Sequence, residues 1–321
     1  MRKRAFGNQH KILDNGLLRR KRNSLLPQKK TYFSGKTKFQ RVEFVELPSI
    51  GETLIIDGEL QSAGQDEYIY HESLVHPACL LNRKTEHILI IGGGEGATLR
   101  EVLKYNTIKS VTMVDIDQEL VQLFSRRMQN WHKGAFQDPR VNLVFEDGRK
   151  YLEDTNERFD VIILDLTSSF GERVEEKFDP ILNLYSKQFY SICSSKLKKD
   201  GIIAIQALEL TPADWSEHAV IRRSLATAFK HVLSYSVFIP SFYTTWGFLL
   251  ASQRHNFETL TSKKINDMIV RKRISSKLSF FDGNTFIGTS NLSKDLRKNI
   301  LQKGSIIEDN KPLVVYPKEP N

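Results

Sequence analysis

The sequence has only two cysteines, Cys79 and Cys193, which lie far apart and form no CxxC pair. This scarcity argues against a disulfide framework and a structural metal, and it favours a reducing compartment. The chain also lacks an apolar run of the roughly 18 residues that a membrane span needs. Its leading residues lack the apolar segment of a secretory signal. We therefore expect a cytoplasmic protein with no membrane partner and no metal.

Acidic residues are almost absent from the first 41 residues, which hold thirteen Lys or Arg and one acid, Asp14. The rest of the chain holds 34 basic and 37 acidic residues, so the net charge of +9 belongs to this leading arm. A basic run can bind nucleic acid or an acidic membrane surface. Such a pattern is more often a solvated, flexible extension. We predict that residues 1–30 form a disordered basic arm whose contact with nucleic acid is weak at most.

Residues 31–65 have the pattern of a small antiparallel β domain. Residues 39–47 alternate between apolar and polar side chains, as a half-buried strand does. A turn at 48–51 leads to a second strand at 53–56, and an Asp-Gly pair is a tight hairpin signal before a third short strand. We therefore expect three strands in this stretch.

Residues 66–254 alternate between helical and strand patterns. Helices are predicted at 66–81 (interrupted near Pro77), 98–105, 118–128, 184–197 and 214–230. Strands are predicted at 88–91, 110–114, 141–145, 159–164 and 201–206, with 232–239 and 248–252 as a closing hairpin. This alternation predicts a Rossmann-like α/β fold, with helices on both faces of a mostly parallel seven-stranded sheet. We expect residues 255–321 to form a C-terminal extension that packs on this domain.

A glycine-rich turn at residues 92–96, with Glu95 inside it, joins the first of these strands to the next helix. Glycines such as Gly92 and Gly94 let the backbone turn sharply and let a ligand approach closely. The helix N-terminus adds free N–H groups. Strand, glycine turn and helix in this order are typical of a nucleotide site.

Three successive strands of this domain end in a carboxylate, at Asp115, Asp147 and Asp165. The carboxyl ends of parallel strands share one edge of the sheet, so we expect these acids to converge on the glycine turn. Any one of them alone is more often a helix cap or a turn residue. Asp115 lies about twenty residues past the turn, where an acid holds ribose hydroxyls, and Asp147-Gly148 is placed to meet an adenine ring. Together they predict an adenosyl ligand, either a dinucleotide or an S-adenosyl compound.

Glu95 narrows this choice of ligand. The dinucleotide form of the turn needs a third glycine further into the helix, where this chain has Leu99. S-adenosylmethionine ends in a carboxylate, and a like-charge contact with Glu95 at about 4 Å would cost on the order of 1–4 kcal/mol. Decarboxylated S-adenosylmethionine ends in an amine and would be attracted. The residues therefore favour the decarboxylated compound, and a small-molecule S-adenosylmethionine-dependent methyltransferase is the alternative.

Five motifs occur in order along the chain: Asp-Glu-Tyr-Ile-Tyr-His-Glu at 66–72, Ile-Ile-Gly-Gly-Gly-Glu-Gly at 90–96, Val-Asp-Ile-Asp at 114–117, Leu-Asp-Leu-Thr at 164–167 and Leu-Tyr-Ser-Lys-Gln-Phe-Tyr at 184–190. Together they resemble the polyamine aminopropyltransferases, the spermidine synthase family. The segment 240–248 and the tail at 278–289 are similar to its thermospermine synthase branch. The resemblance covers roughly residues 32–317.

This resemblance implies a class I methyltransferase fold and the transfer of an aminopropyl group from decarboxylated S-adenosylmethionine to putrescine or spermidine. The products would be spermidine, or thermospermine or spermine, with 5′-methylthioadenosine. It also implies a homodimer or homotetramer and no prosthetic group.

The resemblance also assigns roles to individual positions. Asp165 matches the proton acceptor, and Glu95 matches the residue that holds the aminopropyl amine. The positions that match adenosyl-binding residues are Gln40, Gln61, Asp115, Asp147 and Gly148. The positions on the polyamine side are Tyr70, His71, Ser168, Phe242 and Trp246.

The chain departs from the family at Ser168. Where the family reads Asp-x-x-Asp-Pro from the catalytic aspartate, this chain reads Asp-Leu-Thr-Ser-Ser from Asp165. A serine offers no charge to an ammonium group, so this change predicts a different or longer amine, or weaker catalysis. It also leaves open a non-catalytic polyamine-binding homologue, although the retained Asp165 argues against that reading.

Overall fold

The N-terminal part of the computed structural model, which describes residues 30–167 and 180–311, is an antiparallel sheet. Its strands, in the order in which they pair, are β1 (Lys30–Lys36), β2 (Arg41–Leu47), β3 (Gly51–Ile56) and β4 (Glu59–Ala63). Strand β1 was not expected from the sequence. Its residues are half-buried or exposed, and its pairing shifts register between Thr31 and Phe33, so it has no clean alternation. The predicted arm, except Lys30, lies outside the described residues.

A seven-stranded sheet follows, and its strands pair in the order β10-β11-β9-β8-β5-β6-β7. In chain order these strands are β5 (His87–Gly92), β6 (Ser110–Val114), β7 (Val141–Val144), β8 (Phe159–Asp165), β9 (Leu197–Glu209), β10 (His231–Ile239) and β11 (Thr244–Ser252). Strands β5 to β9 pair in parallel, whereas β11 is antiparallel to both β9 and β10. The predicted Rossmann-like class I methyltransferase fold, preceded by an antiparallel β unit, is confirmed.

The centre of the larger sheet places the ligand cleft. All seven residues of β8 are buried, which agrees with the apolar run at 161–164 in its centre. From β5 the chain proceeds to β6 and β7 on one side and later to β8 and β9 on the other. Such a reversal opens a crevice at the carboxyl ends of the two central strands. Those ends carry the glycine turn after β5 and Asp165 on β8.

Helices cover the sheet and continue beyond it. Their bounds are α1 (Glu67–Leu81), α2 (Ala97–Leu103), α3 (Gln118–Arg127), α4 (Gln129–His132), α5 (Gly148–Asp154), α6 (Lys187–Lys196), α7 (Ser216–Leu225), α8 (Ser262–Arg271), α9 (Gly283–Ser290) and α10 (Lys294–Ile300). Within the described ranges, no helix is both long and apolar enough to cross a membrane. The helix predicted at 184–197 is divided into a 3-10 helix, Pro180–Tyr185, and α6. The helix predicted at 214–230 is shorter, since α7 ends at Leu225.

Helix α1 passes through Pro77 without the expected interruption. A proline has no N–H, so Pro77 cannot donate to the carbonyl oxygen of Ser73 one turn earlier. The buried hydroxyl of Tyr235 on β10 donates to that oxygen at 2.8 Å. The sheet therefore replaces the hydrogen bond that the proline removes, and α1 stays continuous.

Residues C-terminal to β11 also form hydrogen bonds with α1. Lys272 Nζ donates to the carbonyl oxygens of Cys79 and Asn82 at the C-terminal end of α1, at 2.9 and 2.8 Å. The buried Glu72 carboxylate, in the middle of α1, accepts backbone N–H groups from residues 279–281 at 2.8–2.9 Å. These contacts hold α1, and with it the Tyr70-His71 motif, against the rest of the protein. The boundaries predicted between domains stay a prediction.

Candidate active site

A cavity lies between the two sheets, at the carboxyl ends of the central strands. The residues predicted from the sequence that line it are Gln40, Gln61, Tyr70, Gly92, Gly94, Glu95, Asp115, Asp147, Gly148, Asp165, Phe242 and Trp246. His71 does not line it, and Ser168 lies outside the described residues. The structure therefore brings twelve of the fourteen candidates to one cavity, while the roles assigned to them stay predictions.

The glycine turn is joined directly to the end of β8. Gly92 has a φ of +84°, and a Cβ there would lie 2.2 Å from the carbonyl oxygen of Asp165. The next amide, of Gly93, donates to that same oxygen at 2.9 Å. Only glycine allows this close approach with a positive φ. The glycines of the turn are thus required to hold the backbone of Asp165 close to the end of β5.

The Asp165 carboxyl is buried and accepts one hydrogen bond on each oxygen. Tyr70 Oη donates to Oδ1 at 2.8 Å, and Thr98 Oγ1 donates to Oδ2 at 2.6 Å. Burial, together with the negative charge of Glu95, raises the pKa of Asp165 to about 6. Asp165 is therefore a better proton acceptor than an ordinary aspartate while still ionised at neutral pH.

Behind Glu95 lies a chain of buried charges. Glu95 Oε1 is 3.0 Å from His71 Nε2, and His71 Nδ1 is 2.8 Å from Glu67 Oε2. Arg100 in turn donates to both carboxylate oxygens of Glu67 at 2.9 Å. Burial alone would lower the pKa of His71, but the hydrogen bonds and charges of its two glutamates raise it to about 10. His71 is thus a cation that orients Glu95 from behind the cavity wall.

This arrangement bears on whether the cluster could hold a metal. His71, Glu95 and Asp165 offer ligand atoms that lie within 4.8 Å of one another. A metal needs a neutral imidazole nitrogen, whereas His71 is protonated at neutral pH, with Glu67 on one nitrogen and Glu95 on the other. The two carboxylates therefore suit a cationic organic group such as an ammonium.

The adenosyl-side residues are held by local structure. Asp117 accepts hydrogen bonds from Gln40 Nε2 at 3.0 Å and from Thr37 Oγ1 at 2.6 Å, which positions Gln40 across from β6. Burial, with the charges of Asp117 and Glu95, raises the pKa of Asp115 to about 7. Asp147 accepts the N–H groups at the start of α5, so it is a helix cap as well as a cavity residue.

Aromatic side chains form the opposite wall. The rings of Phe242 and Trp246 lie 5.1 Å apart in an edge-to-face contact, and Tyr70 lies 6.2 Å from Phe242. Trp246 Nε1 donates to Gln206 Oε1 at 3.2 Å. Gln206 Nε2 donates to the carbonyl oxygen of Leu166 at 2.9 Å. These contacts fix an aromatic wall next to Asp165, which suits methylene groups and offers ring faces to cations.

Two functional candidates were missed by the sequence reasoning. Gln206 lines the cavity, and it is the one polar side chain in the buried apolar run at 202–208 of β9, which was a usable signal. Thr98 reaches Asp165 from the first turn of α2, two residues after the glycine turn ends. A hydroxyl at that position was a usable signal, because the helix start must face the end of β8.

Comparisons with known proteins agree with this geometry. The family model described as the spermine/spermidine synthase domain matches residues 67–263. The chain is 38% identical over 289 residues to polyamine aminopropyltransferase 2 of Pseudomonas aeruginosa, covering 90% of this chain and 81% of the relative. It is 40% identical over 282 residues to polyamine aminopropyltransferase of Sulfurisphaera tokodaii, covering 87% and 90%.

Solved structures share the fold. A spermidine synthase in complex with the transition state analogue AdoDATO superposes with a TM-score of 0.76 at 24% identity, covering 86% of this chain and 89% of that one. Spermidine synthase from Thermotoga maritima gives a TM-score of 0.75 at the same identity and coverage. The chain thus belongs to the spermine/spermidine synthase family, and its activity is that of a polyamine aminopropyltransferase.

Proposed function

We propose that the enzyme transfers the aminopropyl group of decarboxylated S-adenosylmethionine to a primary amine of putrescine or spermidine. One observation carries this proposal. Among the described residues that line the cavity, five are carboxylates and none is Lys, Arg or His. The carboxylates are Asp57, Glu95, Asp115, Asp147 and Asp165. Such a wall suits ligands that carry a sulfonium and an ammonium, and it offers no cation to the carboxylate of ordinary S-adenosylmethionine.

The binding roles follow from position. Asp115, Asp147 and Gln40 would hold the adenosyl half, with Gln61 and Gly148 beside it. Glu95, held by His71, would take the ammonium of the aminopropyl group. The acceptor amine would lie between Asp165 and the aromatic wall of Tyr70, Phe242 and Trp246. That wall, and the likeness of 240–248 to the thermospermine branch, favour spermidine as the acceptor.

The chemical step is a displacement. The acceptor nitrogen forms a bond to the aminopropyl carbon next to the sulfonium, and the carbon–sulfur bond breaks with its electron pair on sulfur. Sulfur leaves as the neutral thioether 5′-methylthioadenosine and needs no acid. A primary amine has a pKa of about 10.4, so it must lose a proton to become a nucleophile. Asp165 would accept that proton through Oδ1, and the favourable geometry offsets its modest basicity.

The test is turnover with decarboxylated or ordinary S-adenosylmethionine and each of putrescine, spermidine and spermine, with products identified by mass spectrometry. We expect 5′-methylthioadenosine and an elongated polyamine from the decarboxylated compound only. Methyl transfer from ordinary S-adenosylmethionine would overturn the proposal. Binding of spermidine without any turnover would identify a non-catalytic homologue.

A variant tests the role of Asp165. Asp165→Asn should lower kcat by about 10²-fold or more while decarboxylated S-adenosylmethionine still binds in calorimetry. Asp267→Asn is a matched control, because Asp267 is an exposed carboxylate of α8 that pairs only with surface Lys263 in the described structure. Near-normal kcat in Asp165→Asn would remove this residue from the role of base.

Assembly into homodimers or homotetramers stays a prediction.

A further inference from the structure

A buried hydroxyl lies behind the proposed base. Thr98 is fully buried in the first turn of α2, and its Oγ1 donates to Asp165 Oδ2 at 2.6 Å. Thr98 does not line the cavity. It therefore touches Asp165 from the protein side, where no substrate atom reaches it.

The two oxygens of Asp165 have different surroundings. Oδ1 accepts from Tyr70, which lines the cavity. Oδ2 points into the glycine turn, where it lies 3.1 Å from the place that a Cβ on Gly93 would occupy. Thr98, which donates to Oδ2, lies behind the cavity wall, whereas Tyr70, which donates to Oδ1, lines the cavity, so Oδ1 is the oxygen on the ligand side. The hydrogen bond from Thr98 sets this orientation, because it opposes rotation of the carboxyl about its own axis.

Several titratable groups face Asp165. Glu95 extends from the glycine turn, Tyr70 and His71 from α1, Tyr185 from the 3-10 helix before α6, and Asp115 from the end of β6. The negative charge of Glu95 opposes ionisation of Asp165, while the cationic His71 favours it. All five groups remain when Thr98 alone is changed, so a difference between Thr98 variants isolates the hydroxyl.

We propose that Thr98 is a positioning residue for the transfer: its hydroxyl turns Oδ1 of Asp165 toward the acceptor amine and keeps this carboxyl ionised near neutral pH. The proposal rests on the proposed function, since it needs Asp165 to be the base. A hydrogen bond to an ionised group favours the ionised form. Its loss leaves Oδ2 buried with no donor, and it should raise the pKa of Asp165 by about one unit.

The consequence is measurable because Asp165 already titrates close to neutrality. Its pKa of about 6 places it mostly ionised at pH 7. A rise of about one unit would leave roughly half of the molecules protonated at that pH. Because the pKa of Asp165 would be raised, the acidic limb of the activity profile should move to higher pH.

The experiment compares Thr98→Val, which has the same shape without the hydroxyl, with Thr98→Ser, which keeps the hydroxyl. In both, kcat and kcat/KM for the acceptor amine are measured from acidic to alkaline pH. We expect Thr98→Val to move the acidic limb upward by about one pH unit and to lower kcat at pH 7 by about twofold or more, since half-protonation of Asp165 alone accounts for a factor of about two. Thr98→Ser should keep the wild-type limb. KM for decarboxylated S-adenosylmethionine should change little in both variants.

Other outcomes would overturn the proposal. If Thr98→Val lowers thermal stability and kcat but leaves the limb in place, Thr98 has only a structural role. If Thr98→Ser moves the limb as far as Thr98→Val, the hydroxyl is not the cause. Thr98→Ala, which cannot clash, replaces Thr98→Val if the latter does not fold, as judged by circular dichroism. A wild-type enzyme without aminopropyl product would refute the proposed function, whereas an active wild type with an unmoved limb refutes only the role of Thr98.

Discussion

The buried charge chain Arg100–Glu67–His71–Glu95 can be tested through the stability of the protein. His71→Gln removes the one imidazole of this charge chain. The glutamine keeps an amide that can still donate to Glu95. Wild-type His71 has a pKa of about 10 in the folded state, against 6.5 as its ordinary value. At about 1.4 kcal/mol per unit, this difference amounts to on the order of 5 kcal/mol. Breaking a buried ion pair by removing one partner typically costs about 3–5 kcal/mol.

The sign of this effect defines its pH dependence. Because folding raises the pKa of His71, its contribution is fully present below pH 6.5 and is lost as the pH rises through 10. The gap in the free energy of unfolding between wild type and His71→Gln should therefore fall by about 4 kcal/mol between pH 6 and pH 10. Glu67 behaves oppositely: its pKa is lowered to about 2, so its contribution is lost only in strong acid.

The assay is urea unfolding, followed by circular dichroism, at pH 6, 8 and 10. His255→Gln is the control, because His255 is a partly exposed histidine whose ring contacts only a backbone carbonyl oxygen in the described structure. If His71→Gln is as stable as wild type, the buried charge chain does not stabilise the fold. If the gap is equal at pH 6 and pH 10, His71 is not a cation in the folded protein.

Three further substitutions test contacts that support the elements around the site. Gly92→Ala places a Cβ 2.2 Å from the Asp165 carbonyl oxygen at positive φ, so we expect almost no folded protein by circular dichroism. Lys272→Met removes three hydrogen bonds at the C-terminal end of α1 and should lower the free energy of unfolding in urea by about 1–3 kcal/mol; an unchanged midpoint would contradict this anchoring. Asp309→Asn weakens the paired hydrogen bonds with Arg149 at the start of α5, so KM for decarboxylated S-adenosylmethionine should rise about threefold with kcat kept. A fall in kcat alone would contradict that expectation.

The sequence predicted the parts of the fold that periodicity encodes. Buried parallel strands are largely apolar, so β5, β6, β8 and the centre of β9 could be located within a few residues. The edge strand β7 was located as closely, although it is only half-buried and contains Asn142. Strand β1 could not, because it has neither a buried face nor regular alternation. The continuity of α1 also could not be predicted, because the hydroxyl that compensates for Pro77 comes from Tyr235, far along the chain.

In the candidate site, the residues that line the cavity could be predicted from the sequence, whereas the residues behind them could not. The residues of the cavity wall follow motifs, and twelve of the fourteen candidates line the cavity. The residues behind the wall have no such pattern, because they act through neighbours from other elements. His71 was predicted as a substrate-side residue, yet it lies behind Glu95 and contacts two glutamates. The pKa values of Asp165 and His71 likewise depend on burial and partners, which spacing cannot show.

The position of the cationic His71 behind the cavity wall allows several carboxylates to lie close together in the cavity. Glu95, Asp115 and Asp165 repel one another, and their proximity contributes to the raised pKa values of both aspartates. A lysine in the wall would relieve this repulsion, but it would also occupy the place of a cationic substrate. Here the compensating cation, His71, is placed one layer behind Glu95, where it stabilises the carboxylate and leaves its front free. On the proposed function, the sulfonium and the ammonium of the ligand would supply the remaining positive charge, and their binding would relieve the repulsion among these carboxylates.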